Sequence, residues 1–84
     1  MRDKVANKVR TLRFLQGEMT QEELANRVGV ARQTIIAIEK GKYNPSVALA
    51  IRIARVFGVT VEEVFSLNDG EADPREGRAP GEKA

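Results

Sequence analysis

Eighty-four residues with a net charge of +2, 42% hydrophobic and only four aromatic, allow one small domain with a modest core. With neither cysteine nor histidine, the chain has no means to a disulfide or a thiolate metal site, and it lacks the commonest general base, zinc ligand and pH switch. The longest apolar stretch, 47–59, is broken by Arg52 and Arg55 and is far short of a bilayer span, and the opening MRDKVANK has no apolar signal core; a cytoplasmic chain with no membrane contact and no cofactor or metal is expected.

Residues 1–4 are polar and expected to fray. A first helix is predicted over 5–16, where Val5, Val9, Leu12 and Leu15 or Gln16 follow a 3.6-residue period, with Arg10 and Arg13 on its polar flank. Phe14 falls off that stripe. It either folds over the Gly17-Glu18 turn or belongs to a surface that meets another chain.

Thr20 is an N-cap with Glu23 three residues on, and Leu24, Ala25 and Val28 share one stripe, so a second helix is predicted over 21–28. Gly29 tolerates the positive φ that ends a helix, and Val30 can pack back across the corner. The third helix, 31–40, places Ala31, Ile35 and Ile38 on one side of a helical wheel. Gln33, Ile36, Ala37 and Lys40 fall on the other, flanked by Arg32 and Thr34. Two short helices joined by so brief a turn cross closely, and the small Ala25 opposite Ile35 and Ile38 permits it. The pattern is that of a helix-turn-helix.

Gly41-Lys42-Tyr43-Asn44-Pro45 reads as a connector, because Gly41 stops the third helix and Pro45 biases Asn44 away from the α region. Ser46 caps a fourth helix, 47–57, expected to bury Val47, Leu49, Ala50, Ile53, Ala54 and Phe57; Ile51 and Val56 exceed what one face can hide. Gly58 closes it. Thr60 with Glu63 forms a capping box for a fifth helix, 61–66, with Val61, Val64, Phe65 and Leu67 apolar nearby. The surplus apolar residues of helices 4 and 5 fit either a tightly closed bundle or a homodimer seam, and the seam is favoured because a domain this small, without staples, gains most from association.

Residues 1–67 carry eleven Lys/Arg against seven Asp/Glu, whereas 68–84 carry three against five. The basic part is the part that folds. The segment 68–84, NDGEADPREGRAPGEKA, has no Val, Ile, Leu or aromatic residue, cannot offset its ordering entropy by burial, and is expected to be a disordered polar tail.

T-Q-E-E-L-A, the turn V-G-V, and R-Q-T-I-I-A-I-E-K-G-K-Y-N-P-S followed by I-A-R-V-F-G-V together resemble the lambdoid repressor/Cro superfamily, also called XRE-type regulators, over residues 9–65. The resemblance implies an all-α, five-helix bundle of the lambda-repressor-like DNA-binding type, acting in transcription regulation, with a repressor expected. It also implies a structural ion pair between Arg13 and Glu39, and a contact of Gln21 with the DNA backbone.

The residues themselves suit that role. Arg32, Gln33 and Thr34 occupy the first turn of the third helix, the end from which an inserted helix reaches base edges. Arg32 can pair with guanine O6/N7 and Gln33 with adenine N6/N7. Ile36 and Ala37 point the same way and suit thymine methyls, unless they are filler or Ile36 is buried by a partner. Lys40, Lys42, Tyr43 and Asn44 are placed to grip phosphates at the groove edge; ordinary solvation explains the lysines but leaves Tyr43 and Asn44 unexplained. The expected partners are double-stranded DNA, as an inverted-repeat operator, and a second copy of the chain. An enzyme is not expected: Glu22-Glu23 and Glu62-Glu63 are first-turn neighbours, not carboxylates opposed across a cleft. The competing reading is a protein-interaction or antitoxin-like module, with the acidic tail as its partner segment.

Overall fold

In the computed structural model, which describes residues 4–68, the chain runs β1 (Lys4–Asn7), α1 (Val9–Leu15), α2 (Gln21–Val28), α3 (Arg32–Glu39), α4 (Val47–Phe57), α5 (Val61–Val64) and β2 (Phe65–Asn68). Side-chain caps start three of the five helices. Thr20, Ser46 and Thr60 accept hydrogen bonds from the N–H groups of Glu23, Leu49 and Glu63. At Thr60 the box is reciprocal, with Glu63 accepting from the Thr60 N–H at 2.8 Å. Glu23 instead turns its carboxylate to Arg27, one helical turn on, at 2.7 Å.

The corner between α2 and α3 is made by Gly29, whose φ of 80° lies in the left-handed region. No neighbouring atom lies within 4 Å of where a Cβ would stand, so backbone conformation alone, not space, demands glycine there. Val30 packs against the core from the corner, as expected. Leu24, Ala25 and Val28 from α2 meet Ile35 and Ile38 from α3, all at most 2% exposed. With Leu49, Ile53, Ala54 and Phe57 of α4, Val9 of α1 and Val64 of α5, they form one apolar cluster. Each fully buried Leu or Ile contributes about 1.5–3 kcal/mol.

The five expected helices are present, and a two-stranded antiparallel ribbon is added to them. β1 pairs with β2 in the register Lys4↔Asn68, Val5↔Leu67, Ala6↔Ser66 and Asn7↔Phe65. Two expected boundaries are corrected by it. Helix 1 does not begin at Val5 but at Val9, and the fifth helix ends at Val64, because Val5–Asn7 and Phe65–Leu67 spend their backbone hydrogen bonds on each other. Lys8 N–H, at the foot of the ribbon, donates to the Val64 carbonyl at 2.8 Å.

Some expected core residues also fall elsewhere. Val47 is 76% exposed, being the first residue of α4 and turned away from the cluster, and Leu15, 70% exposed, ends α1 beyond the last turn that packs. Ala31 is exposed as the N-cap of α3. Met19, in the loop before α2, is buried at 4% and was not foreseen. Phe14 is 63% exposed. The Gly17-Glu18 turn is tight: after Gly17, Glu18 also adopts a positive φ, 61°. Asn68 belongs to β2, one residue past the expected domain edge, and the expected tail beyond it lies outside the described residues.

Candidate nucleic-acid interface

α3 is held from behind and open in front. Its inner face is anchored by Ile35 and Ile38, while Arg32 and Gln33 are exposed and Thr34, Ile36 and Ala37 are half-buried. Arg32, Ile36, Glu39 and Lys40 fall at i, i+4, i+7 and i+8, one flank of the helix. That flank forms a wall of an open cleft of about 710 Å³, whose other walls are Arg10 and Arg13 of α1 and Thr20, Gln21 and Glu22 at the start of α2.

The floor of this cleft is a hydrogen-bonded network centred on Glu39. Arg13 Nε donates to Glu39 Oε2 at 2.7 Å and its Nη2 to Oε1 at 3.1 Å, the fork geometry in which guanidinium and carboxylate match. The third guanidinium nitrogen, Nη1, donates to the Met19 carbonyl at 2.7 Å. Both charged side chains are largely shielded, at 14% and 9% exposed. The expected Arg13–Glu39 pair is thus in place. It joins α1, the loop before α2, and the last residue of α3.

Gln21, expected at the DNA backbone, is the first residue of α2 and is half-buried. Its side-chain amide donates to Glu39 Oε1 at 3.1 Å, so the side chain is oriented along the cleft by the same carboxylate. Glu39 is neutralised by Arg13, which leaves Arg10, Arg32 and Lys40 against Glu22 along the cleft; among the described residues none of these four is in an ion pair. The cleft therefore carries an excess of positive charge around a polar floor. Arg10 was not singled out as a site residue. Its signal was available: it stands three residues before Arg13, on the same helical face.

Ala31, the N-cap of α3, brings no side-chain oxygen to the helix start. The N–H groups of that first turn are in the position that favours an anion. Past the other end, Gly41 N–H donates to Ile38 and Lys42 N–H to Ala37, both at 2.9 Å, and this closes the helix and fixes where the connector departs. Lys40, Lys42, Tyr43 and Asn44 are all exposed, Tyr43 at 47%. The expected base-reading residues and phosphate donors thus lie on α3, at the start of α2 and along the connector. Chemically the arrangement offers a rigid helix end with fork-shaped and amide donors, flanked by cations and backbone amides.

A second surface is apolar. Val5, Asn44, Pro45, Val47, Ala50, Ile51, Val61 and Phe65 line a cleft of about 170 Å³ between the ribbon, the connector, α4 and α5. Among these, Val47 and Ile51 are exposed large hydrophobic residues.

A family model described as helix-turn-helix matches residues 9–64. A protein of Methanocaldococcus jannaschii named as an uncharacterized HTH-type transcriptional regulator is 55% identical over 65 residues, which are 77% of this chain and 97% of that protein. The cryptic phage CTXphi transcriptional repressor RstR of Vibrio cholerae is 33% identical over 70 residues, 83% of this chain and 62% of RstR. Among solved structures, the hypothetical transcription factor NHTF from Neisseria superposes with a TM-score of 0.61 at 28% identity, covering 67% of this chain and 63% of that one.

Proposed function

Because the chain belongs to the helix-turn-helix family, in its XRE type, and is a DNA-binding transcriptional regulator, we propose that it acts as a dimeric, sequence-specific repressor reading the major groove with α3. The observation that carries this reading is the exposed first turn of α3, Arg32 and Gln33, on a helix whose opposite face is sealed by Ile35 and Ile38. A side chain discriminates bases only when its helix cannot rotate away, and the Arg13–Glu39 fork holds the far end of that helix. Arg32 reads guanine and Gln33 reads adenine, Thr34 supports them, and Ile36 and Ala37 meet thymine methyls.

Gln21, Lys40, Lys42, Tyr43 and Asn44 contact phosphates, with Arg10 adding a charge along the cleft. The second copy docks on the apolar cleft beside α4 and α5, where Val47 and Ile51 lie exposed. A dimer then presents two reading helices to half-sites about one helical turn apart, as an inverted repeat. Of these contacts Arg10, Lys40 and Lys42 are cationic, so a dimer neutralises about six phosphates, for a log-log salt slope near −5.

Selection of bound duplexes from a random pool tests this directly. An enriched inverted repeat with half-sites about 10 base pairs apart is the expected outcome. No enrichment, or a slope shallower than about −2, overturns the reading. Val47→Asp with Ile51→Asp should yield a monomer in sedimentation and a large loss of operator affinity; an unaltered dimer would move the seam elsewhere.

A further inference from the structure

Asn7 stands at the inner end of the ribbon, its backbone paired opposite Phe65, and it uses both ends of its side-chain amide. Oδ1 accepts from the Val9 N–H at 3.1 Å, which satisfies a free donor at the start of α1. Nδ2 donates to the Ile38 carbonyl at 2.9 Å, thirty-one residues along the chain. Ile38 lies in the last turn of α3, and its carbonyl also accepts from Gly41 N–H. The C-terminal end of the reading helix is therefore tethered at two points by side chains of earlier elements, Glu39 by Arg13 and Gln21, and Ile38 by Asn7.

The two tethers differ in what lies behind them. Arg13 comes from α1, itself part of the reading cleft. Asn7 comes from the ribbon, and Val5 and Phe65 of that ribbon line the apolar cleft on which the second copy is placed above. Lys8 N–H on the Val64 carbonyl adds a further bond at this corner.

We propose that Asn7 is a positioning residue of the DNA site: by bonding the Ile38 carbonyl it sets the tilt of α3 against the ribbon, and so the register at which Arg32 and Gln33 meet base edges. The inference rests on α3 being the reading helix. It also makes Asn7 a hydrogen-bonded link between the subunit seam and the groove.

Asn7→Asp separates the two halves of the amide. The carboxylate still accepts from Val9 N–H and adds a negative charge where a helix start favours it, so α1 should keep its cap. Toward Ile38 it replaces a donor by an acceptor facing a carbonyl, and that bond is lost with added repulsion. Thr60→Ala serves as the control, since it removes the α5 cap and weakens the fold without touching α3.

Two measurements on the full chain decide. Amide exchange at Gly41 and Lys42 should quicken about fivefold or more in Asn7→Asp, the equivalent of one lost hydrogen bond, and stay near wild type in Thr60→Ala. The ratio of operator to random-duplex affinity should fall by a similar factor in Asn7→Asp at unchanged salt slope, because the phosphate contacts persist. Unaltered exchange in Asn7→Asp, or an equal change in Thr60→Ala, overturns the tether. Quickened exchange with an unchanged affinity ratio overturns its role in recognition. A wild-type chain that binds no duplex overturns the reading of α3 itself, and the exchange measurement still judges the tether alone.

Discussion

Gln21 donates its side-chain amide to Glu39 at 3.1 Å, binding the first residue of α2 to the last residue of α3. With one amide hydrogen committed there, the other hydrogen and the backbone N–H of the helix start remain for a phosphate. Gln21→Ala should therefore weaken binding to all duplexes alike, by about three- to tenfold, while unfolding free energy falls by about 1.5–3 kcal/mol for a lost bond to a charged group. Titrations of operator and random duplex beside a urea melt check both halves. A loss confined to the operator would reassign Gln21 to base reading.

Glu39 is the costliest member of the network to remove. Glu39→Ala strands the Arg13 guanidinium at a site 14% exposed, and breaking such a shielded pair costs about 2–4 kcal/mol. Arg13→Ala should cost nearly as much, and the double variant little more than either alone, with a coupling of about 1–3 kcal/mol in a double-mutant cycle. Additive losses in urea denaturation would mean that the fork contributes nothing beyond two separate side chains.

Base readers and phosphate donors should part company under salt. Arg32→Ala and Gln33→Ala are each expected to cost about 1–3 kcal/mol per half-site and to relax selectivity at one base position in each half-site. Lys42→Ala should weaken operator and random duplex equally and flatten the salt slope by about 2, one for each subunit of the dimer. Competition binding at several salt concentrations distinguishes the two classes.

Glu18 has a φ of 61° in the turn between α1 and α2, a conformation costly for a residue with a Cβ. Glu18→Gly removes that strain at the expense of a freer unfolded chain, for a net gain of about 0.5–1 kcal/mol. A thermal melt that falls instead of rising would show that the Glu18 side chain is needed where it stands.

Much of the fold was legible because its signals are local. Thr20, Ser46 and Thr60 announce helix starts, Gly29 and Gly58 announce ends, and the 3.6-residue stripes between them picked out Leu24, Ile35, Ile53 and their neighbours. The ribbon was hidden because its signal is the pairing of residues some sixty positions apart, while Val5 happens to sit four before Val9 and so mimics a helical stripe. Met19 was missed for a related reason: a loop residue has no period to betray its burial. Val47 misled in the opposite direction, since the first residue of α4 stands at the rim of the apolar cleft and outside the buried cluster.

Of the candidate site, the Arg13–Glu39 pair came from likeness to a known family, and the fork at 2.7 and 3.1 Å bears it out. Two other partners of the network were not readable at all. Gln21 on Glu39 and Asn7 on Ile38 depend on how α2 and the ribbon approach α3, and no spacing along the chain encodes a crossing distance.

The pairing of Lys4 with Asn68 makes the described chain almost a closed loop. A polypeptide joined across that gap and opened instead in the exposed connector at Lys42 and Tyr43 would retain every helix and the whole apolar cluster, since circular permutation succeeds where neighbouring ends meet at a surface. Such a rearranged chain would cut the connector proposed to hold phosphates while sparing Arg32 and Gln33, and so weigh the contribution of grip against that of reading within one molecule.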